Sequence, residues 1–293
     1  MTAAAGAAPV PFGWRLADAM AEHGPLCVGI DPHPPLLSAW GLADTAAGVR
    51  EFGLRVVEAL GGRVAALKPQ SAFFERHGSA GVAALEEVLA AAWAAGTLTV
   101  LDVKRGDIGS TMAGYAQAYL TDDAPLAADA ITLSPYLGLG SLAPAVELAH
   151  RTGRGLFVLA LTSNPEGAGV QHATGADGRA VAAAIVDGVG ALNAAGPGGG
   201  EPLGSVGLVV GATIGDAVEA LGIDLAASRA PLLAPGVGAQ GAGAAEVSRV
   251  FAGAGRAVLA STSRGVLSAG PTAAGLRAAA DAATDEVRTA LAG

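Results

Sequence analysis

A chain of 293 residues, 52% hydrophobic but only 4% aromatic, can bury a sizeable core but must build it from Ala, Val, Leu and Ile. The formal net charge of -9 argues against sequence-independent binding to nucleic acid or to an anionic membrane, so any basic residue that grips an anion has to act locally. Cys27 is the only cysteine, which rules out an intramolecular disulfide; it sits in an apolar run, where a packed core thiol is expected.

In chain order, the first nine residues lack the basic start and long apolar core of a secretion signal, and with the single cysteine this points to the cytoplasm. Phe12 to Glu22 has helical spacing and is expected as an extra N-terminal helix that plugs or flanks one end of the fold. Eight strand-like runs follow: 26–30, 64–67, 98–103, 130–133, 156–161, 206–210, 231–234 and 257–260. Between them lie segments rich in helix formers, among them 45–60, 81–95, 141–150, 179–195, 241–251 and 271–291. Strand and helix alternating eight times predicts parallel βαβ units closed into an α/β barrel of the (β/α)8 type, with an open doubly wound sheet as the alternative. No domain boundary is visible, so residues 1–293 are expected to form one barrel domain.

In such a barrel the active site gathers at the carboxyl ends of the strands. Those positions carry Asp31 after the first strand, Lys68 after the second, Ser134 and Pro135 after the fourth and Ser163 after the fifth. The third strand ends in Leu98-Thr-Val-Leu-Asp102-Val-Lys104-Arg-Gly-Asp107-Ile108-Gly-Ser-Thr111, an apolar run that turns abruptly to charge. Alternation along a strand puts Asp102 and Lys104 on one face, with Asp107 beyond Gly106 in a loop. Alone, this stretch also fits a solvated ion pair; convergence with Lys68 favours a site. The last two strand ends, Pro235-Gly-Val-Gly-Ala-Gln240-Gly and Ser261-Thr-Ser-Arg264-Gly, look fit for phosphate, because glycines expose backbone N–H groups and Arg264 can grip oxygens bidentately. The five histidines are not spaced as a metal set, and no metal is expected.

Asp102-x-Lys104-x-x-Asp107 resembles the signature of the orotidine 5'-phosphate decarboxylase family in its longer-chain bacterial form. Gly-Ile-Asp31-Pro, Leu-Lys68-Pro-Gln, Leu-Thr-Ser163-Asn-Pro-Glu-Gly, the Pro235 to Gly241 loop and Ser-Arg264-Gly agree with it in order, so the resemblance runs from about Phe12 to Leu267. Ser263 stands where that pattern has glycine. The resemblance implies a carboxy-lyase of pyrimidine biosynthesis that converts orotidine 5'-monophosphate to uridine 5'-monophosphate without metal or organic cofactor. In that light Lys104 stabilises and protonates a C6 carbanion, Asp102 stands near the substrate carboxylate, and Lys68 and Asp107 complete an alternating charge array. Asp31 binds ribose, Ser163 the pyrimidine edge, and Pro235, Gln240 and Arg264 the phosphate end. Asp107, Ile108 and Thr111 would reach into a neighbouring subunit's site, which implies a homodimer. Two other readings remain: a magnesium-dependent sugar-phosphate enzyme of similar ancestry, which would want an acidic ligand where Lys68 stands, and a catalytically silent phospho-ligand-binding barrel.

Overall fold

The computed structural model describes residues 8–197, 202–237 and 241–292. Its strands are β1 (Leu26–Ile30), β2 (Ala66–Pro69), β3 (Leu98–Arg105), β4 (Ala130–Leu133), β5 (Gly155–Leu161), β6 (Val206–Val210), β7 (Leu232–Pro235) and β8 (Val258–Thr262). All pair in parallel with their sequence neighbours, and β1 closes the ring by pairing with β8 from Leu26 opposite Ala260 to Val28 opposite Thr262. This is the expected (β/α)8 barrel, with an extra helix, Phe12–His23, before the first strand.

The strands are Val-, Leu- and Ala-rich because both of their faces are covered, one by the surrounding helices and one by the barrel interior. Helix Ala46–Leu60 shows how the outer layer is built: Thr45 caps it by accepting from the Gly48 N–H at 3.2 Å, and Val49, Phe52, Val56, Val57 and Leu60 form the buried stripe. Inside the barrel, Cys27, Ala66, Val100, Ala130, Phe157, Val209, Leu233 and Leu259, one residue from each strand, form a layer on which Phe12 and Leu16 rest. The Phe12 ring meets Phe157 edge-on with centroids 6.0 Å apart. Gly155 permits this approach, since a Cβ there would lie 2.1 Å from the Phe12 ring. Arg15 fastens the helix from outside by donating to Asp129 Oδ1 at 2.5 Å and to the Gly153 carbonyl at 2.9 Å. The amino-terminal end of the barrel is thereby closed, which leaves the carboxyl end open for chemistry.

The ends of β2 and β3 differ from the sequence expectation in ways that matter for the site. β2 begins at Ala66 and runs to Pro69, so Lys68 belongs to the strand itself. β3 continues two residues past Val103 to Arg105, with a register shift against β4 between Leu101 and Arg105. The connection from β3 to β4 is a helix, Gly109–Leu120, buried through Met112, Ala116, Tyr119 and Leu120. Among the described residues no helix is long and apolar enough to cross a membrane.

Candidate active site

Asp102 is the centre of the open end. On the neighbouring chain segment Gln70 pairs with Asp102 in parallel, the Lys68 side chain from β2 reaches the carboxylate, and Lys68 and Asp102 are both only 6% exposed. Lys68 Nζ donates to Asp102 Oδ2 at 3.0 Å, and Lys104 Nζ donates to Oδ1 at 2.6 Å. The Thr132 hydroxyl, from β4, donates to the same Oδ1 at 2.8 Å and accepts the Lys104 backbone N–H at 2.9 Å. Lys104 needs that support, because its φ of 44° lies in the left-handed region that side-chain-bearing residues seldom adopt.

Asp102 and Lys68 keep each other ionised. Burial pushes the Asp102 carboxyl up, but Lys68 and then Lys104 outweigh it and hold it at about 2. Burial pushes the Lys68 ammonium down, and Asp102 followed by Asp31 outweigh it, so its pKa is raised. Cys27 below them is inert: burial drives its thiol up to about 12, as the sequence reading of a packed core thiol requires. A carboxylate thus sits between two ammonium groups, and the Lys104 side chain, 46% exposed, presents a fixed cation to whatever occupies the mouth.

A cavity of about 810 Å³ opens above these residues, lined among others by Asp31, Lys68, Asp102, Lys104, Ser163, Pro235 and Arg264. That volume is in the range of small-molecule sites. Asp31 accepts from the Ser263 hydroxyl at 2.5 Å. Ser163 is exposed on the loop after β5, whose start is tied down by Gln171, bonded through its side chain to the Thr162 N–H at 2.9 Å and to the Thr162 hydroxyl at 2.7 Å. Across the mouth, Pro235 and Gly236 end β7, and Arg264 makes no salt bridge among the described residues. Gln240 lies outside the described residues.

Asp107, Ile108 and Thr111 are not brought into this cavity. Asp107 turns one carboxylate oxygen to the Ile108 N–H at 2.8 Å, Ile108 is 62% exposed, and Thr111 is exposed in the first turns of its helix. The pairing of Lys104 between two aspartates is therefore half made within one chain, by Asp102 alone. Thr132 and Gln70 line the cavity but were not singled out from the sequence. For Thr132 the signal was present: strand alternation places it on the face of Ala130, which points into the barrel. Among the described residues no three His, Cys, Asp or Glu side chains gather as a metal set.

A family model described as orotidine 5'-phosphate decarboxylase / HUMPS family matches residues 24–279. An orotidine 5'-phosphate decarboxylase of Salinispora arenicola is 60% identical over 282 residues, covering 96% of this chain and 99% of that protein. A crystal structure from Streptomyces avermitilis, assigned as an orotidine 5'-phosphate decarboxylase, superposes with a TM-score of 0.93 at 57% identity over the whole of both chains. The structure of Leishmania donovani OMP decarboxylase does so with a TM-score of 0.72 at 34% identity, over 97% of this chain and 100% of that one. The chain belongs to the orotidine 5'-phosphate decarboxylase / HUMPS family.

Proposed function

We propose that the protein decarboxylates orotidine 5'-monophosphate to uridine 5'-monophosphate in pyrimidine biosynthesis, unaided by metal or organic cofactor. The observation that carries this reading is the Asp102 carboxylate bonded to both Lys68 and Lys104 at the floor of the cavity, with Arg264 on its rim. Loss of carbon dioxide breaks the C6 carbon–carbon bond and leaves its electron pair on C6, in an orbital that cannot delocalise into the ring. A fixed cation beside C6 is the remedy. Lys104 supplies it, then gives its proton to C6 and recovers one from solvent. Asp102 stands near the departing carboxylate, so that repulsion falls as carbon dioxide leaves, while its charge favours the ammonium form of Lys68.

Binding is shared out around the rim: Asp31 takes ribose hydroxyls, Ser163 the pyrimidine edge, and Arg264 with Pro235 and Gln240 the phosphate end. Binding energy from phosphate and ribose, remote from C6, orients the base over Lys104. A second copy of the chain completes the site. Asp107, Ile108 and Thr111 do not line their own cavity, and a hydrophobic side chain as exposed as Ile108 fits burial against a partner. The magnesium-dependent alternative is disfavoured because Lys68, a cation, occupies the position of the required acidic ligand.

The test is a spectrophotometric assay with orotidine 5'-monophosphate, run with and without EDTA. Equal turnover in both supports the proposal. No turnover, or turnover abolished by EDTA, contradicts it.

A further inference from the structure

Asp31 and Ser263 each stand one residue beyond the ends of the adjacent strands β1 and β8. That register lays the serine hydroxyl on the carboxylate, Ser263 Oγ donating to Asp31 Oδ2 at 2.5 Å. A serine just before a short helix, here Arg264–Leu267, would ordinarily cap it, yet the Ser263 side chain makes no capping bond. Its hydroxyl is committed to Asp31 instead. Room for it comes from Gly29: a Cβ at that position would lie 2.0 Å from Ser263 Oγ and 3.1 Å from Asp31 Oδ2. The second carboxylate oxygen, Asp31 Oδ1, is buried without a hydrogen-bond partner among the described residues. An acceptor buried without a donor costs free energy, so the orientation of this carboxylate has to be imposed through its other oxygen. Asp31 and Ser263 both line the cavity, and nothing in the charge cluster around Asp102 uses the serine.

We propose that Ser263 is a positioning residue for sugar recognition: its hydroxyl fixes the plane of the Asp31 carboxylate so that the group meets ribose hydroxyls, and Gly29 is the space that allows it. Ser263 thus has a role of its own at the position where the family pattern has glycine. The inference rests on the reading of Asp31 as the ribose ligand, and it adds a residue pair, Gly29 with Ser263, that must change together. A donor to a charged oxygen is worth about tenfold or more in an equilibrium constant.

The experiment is calorimetric titration of the full chain and of Ser263→Ala with two probes, uridine 5'-monophosphate and its 2',3'-dideoxy analogue. The proposal expects Ser263→Ala to weaken uridine 5'-monophosphate by about tenfold while leaving the dideoxy analogue unchanged. Equal weakening of both probes, or of neither, overturns it and leaves the decarboxylase reading standing. Failure of the unaltered protein to bind uridine 5'-monophosphate overturns both together. The steric half is tested separately: Gly29→Ala should weaken uridine 5'-monophosphate further than Ser263→Gly does, and the double variant Gly29→Ala/Ser263→Gly should return to the level of Ser263→Gly. Additive losses in the double variant would mean that Gly29 and Ser263 are not coupled.

Discussion

Replacing Thr132 by valine keeps the shape of the side chain and removes only the hydroxyl that bonds both Asp102 Oδ1, at 2.8 Å, and the Lys104 N–H, at 2.9 Å. The N–H loses its acceptor and the carboxylate loses one of its donors, a cost of about 1–3 kcal/mol in folding stability. The Lys104 backbone, at φ 44°, is held against a preference of similar size, so release lets the residue relax and carries its ammonium away from where charge develops. A displacement near 1 Å can cost about a hundredfold in rate. We therefore expect Thr132→Val to lower kcat by roughly 10- to 100-fold, with KM for orotidine 5'-monophosphate much less affected, since the proposed ribose and phosphate ligands stand elsewhere on the rim. Steady-state kinetics and urea unfolding measure the two effects, and Thr132→Ser should recover most of both. A Thr132→Val protein with the original kcat and stability would refute the idea that this hydroxyl holds Lys104 in place.

The depressed Asp102 carboxyl makes stability depend on acid. Its folded value near 2 lies below the ordinary 3.8, so its contribution, roughly 2 kcal/mol, is complete above about pH 4 and drains away as pH falls towards 2. Urea unfolding between pH 5 and 2.5 should show a steeper loss in the unaltered protein than in Asp102→Asn, and parallel losses would contradict the assignment. At the closed end, Phe12→Ala should cost about 3–5 kcal/mol of stability, because it empties the plug over Phe157, while kcat of the folded enzyme stays the same. Loss of kcat without loss of stability would contradict the plug. If Asp107 serves a neighbouring site, Lys104→Ala and Asp107→Ala proteins are each inactive. After subunit exchange they should regain roughly a quarter of full activity, since half of the dimers are mixed and each mixed dimer has one intact site. Exchange demonstrated without recovery would count against sharing.

The barrel was legible in the sequence because its eight apolar runs are short and Val/Leu-rich and are separated by helix-forming stretches, and because Phe12 and Leu16 recur at helical spacing before the first strand. The strand-end rule then brought Asp31, Lys68, Asp102 and Lys104 to one mouth, where the structure also has them. Pairwise geometry was not legible. A one-dimensional pattern puts Asp102 and Lys104 on one face but contains no trace of the left-handed turn at Lys104, which depends on a hydroxyl 28 positions away. Ser263 could be noticed only as an unexpected residue, since its partnership with Asp31 spans 232 positions and depends on β8 closing against β1. Asp107 was legible by type and spacing, yet within one chain it does not line the cavity, and the site proposed for it belongs to a neighbouring copy.

Lys104 is proposed as the cation and proton donor of a decarboxylation. Its most direct test pairs two measurements on Lys104→Ala: turnover of orotidine 5'-monophosphate, followed by absorbance, and binding of uridine 5'-monophosphate, followed by calorimetry. If Lys104 has this role, turnover vanishes while the nucleotide still binds. Near-normal decarboxylation by Lys104→Ala would contradict it.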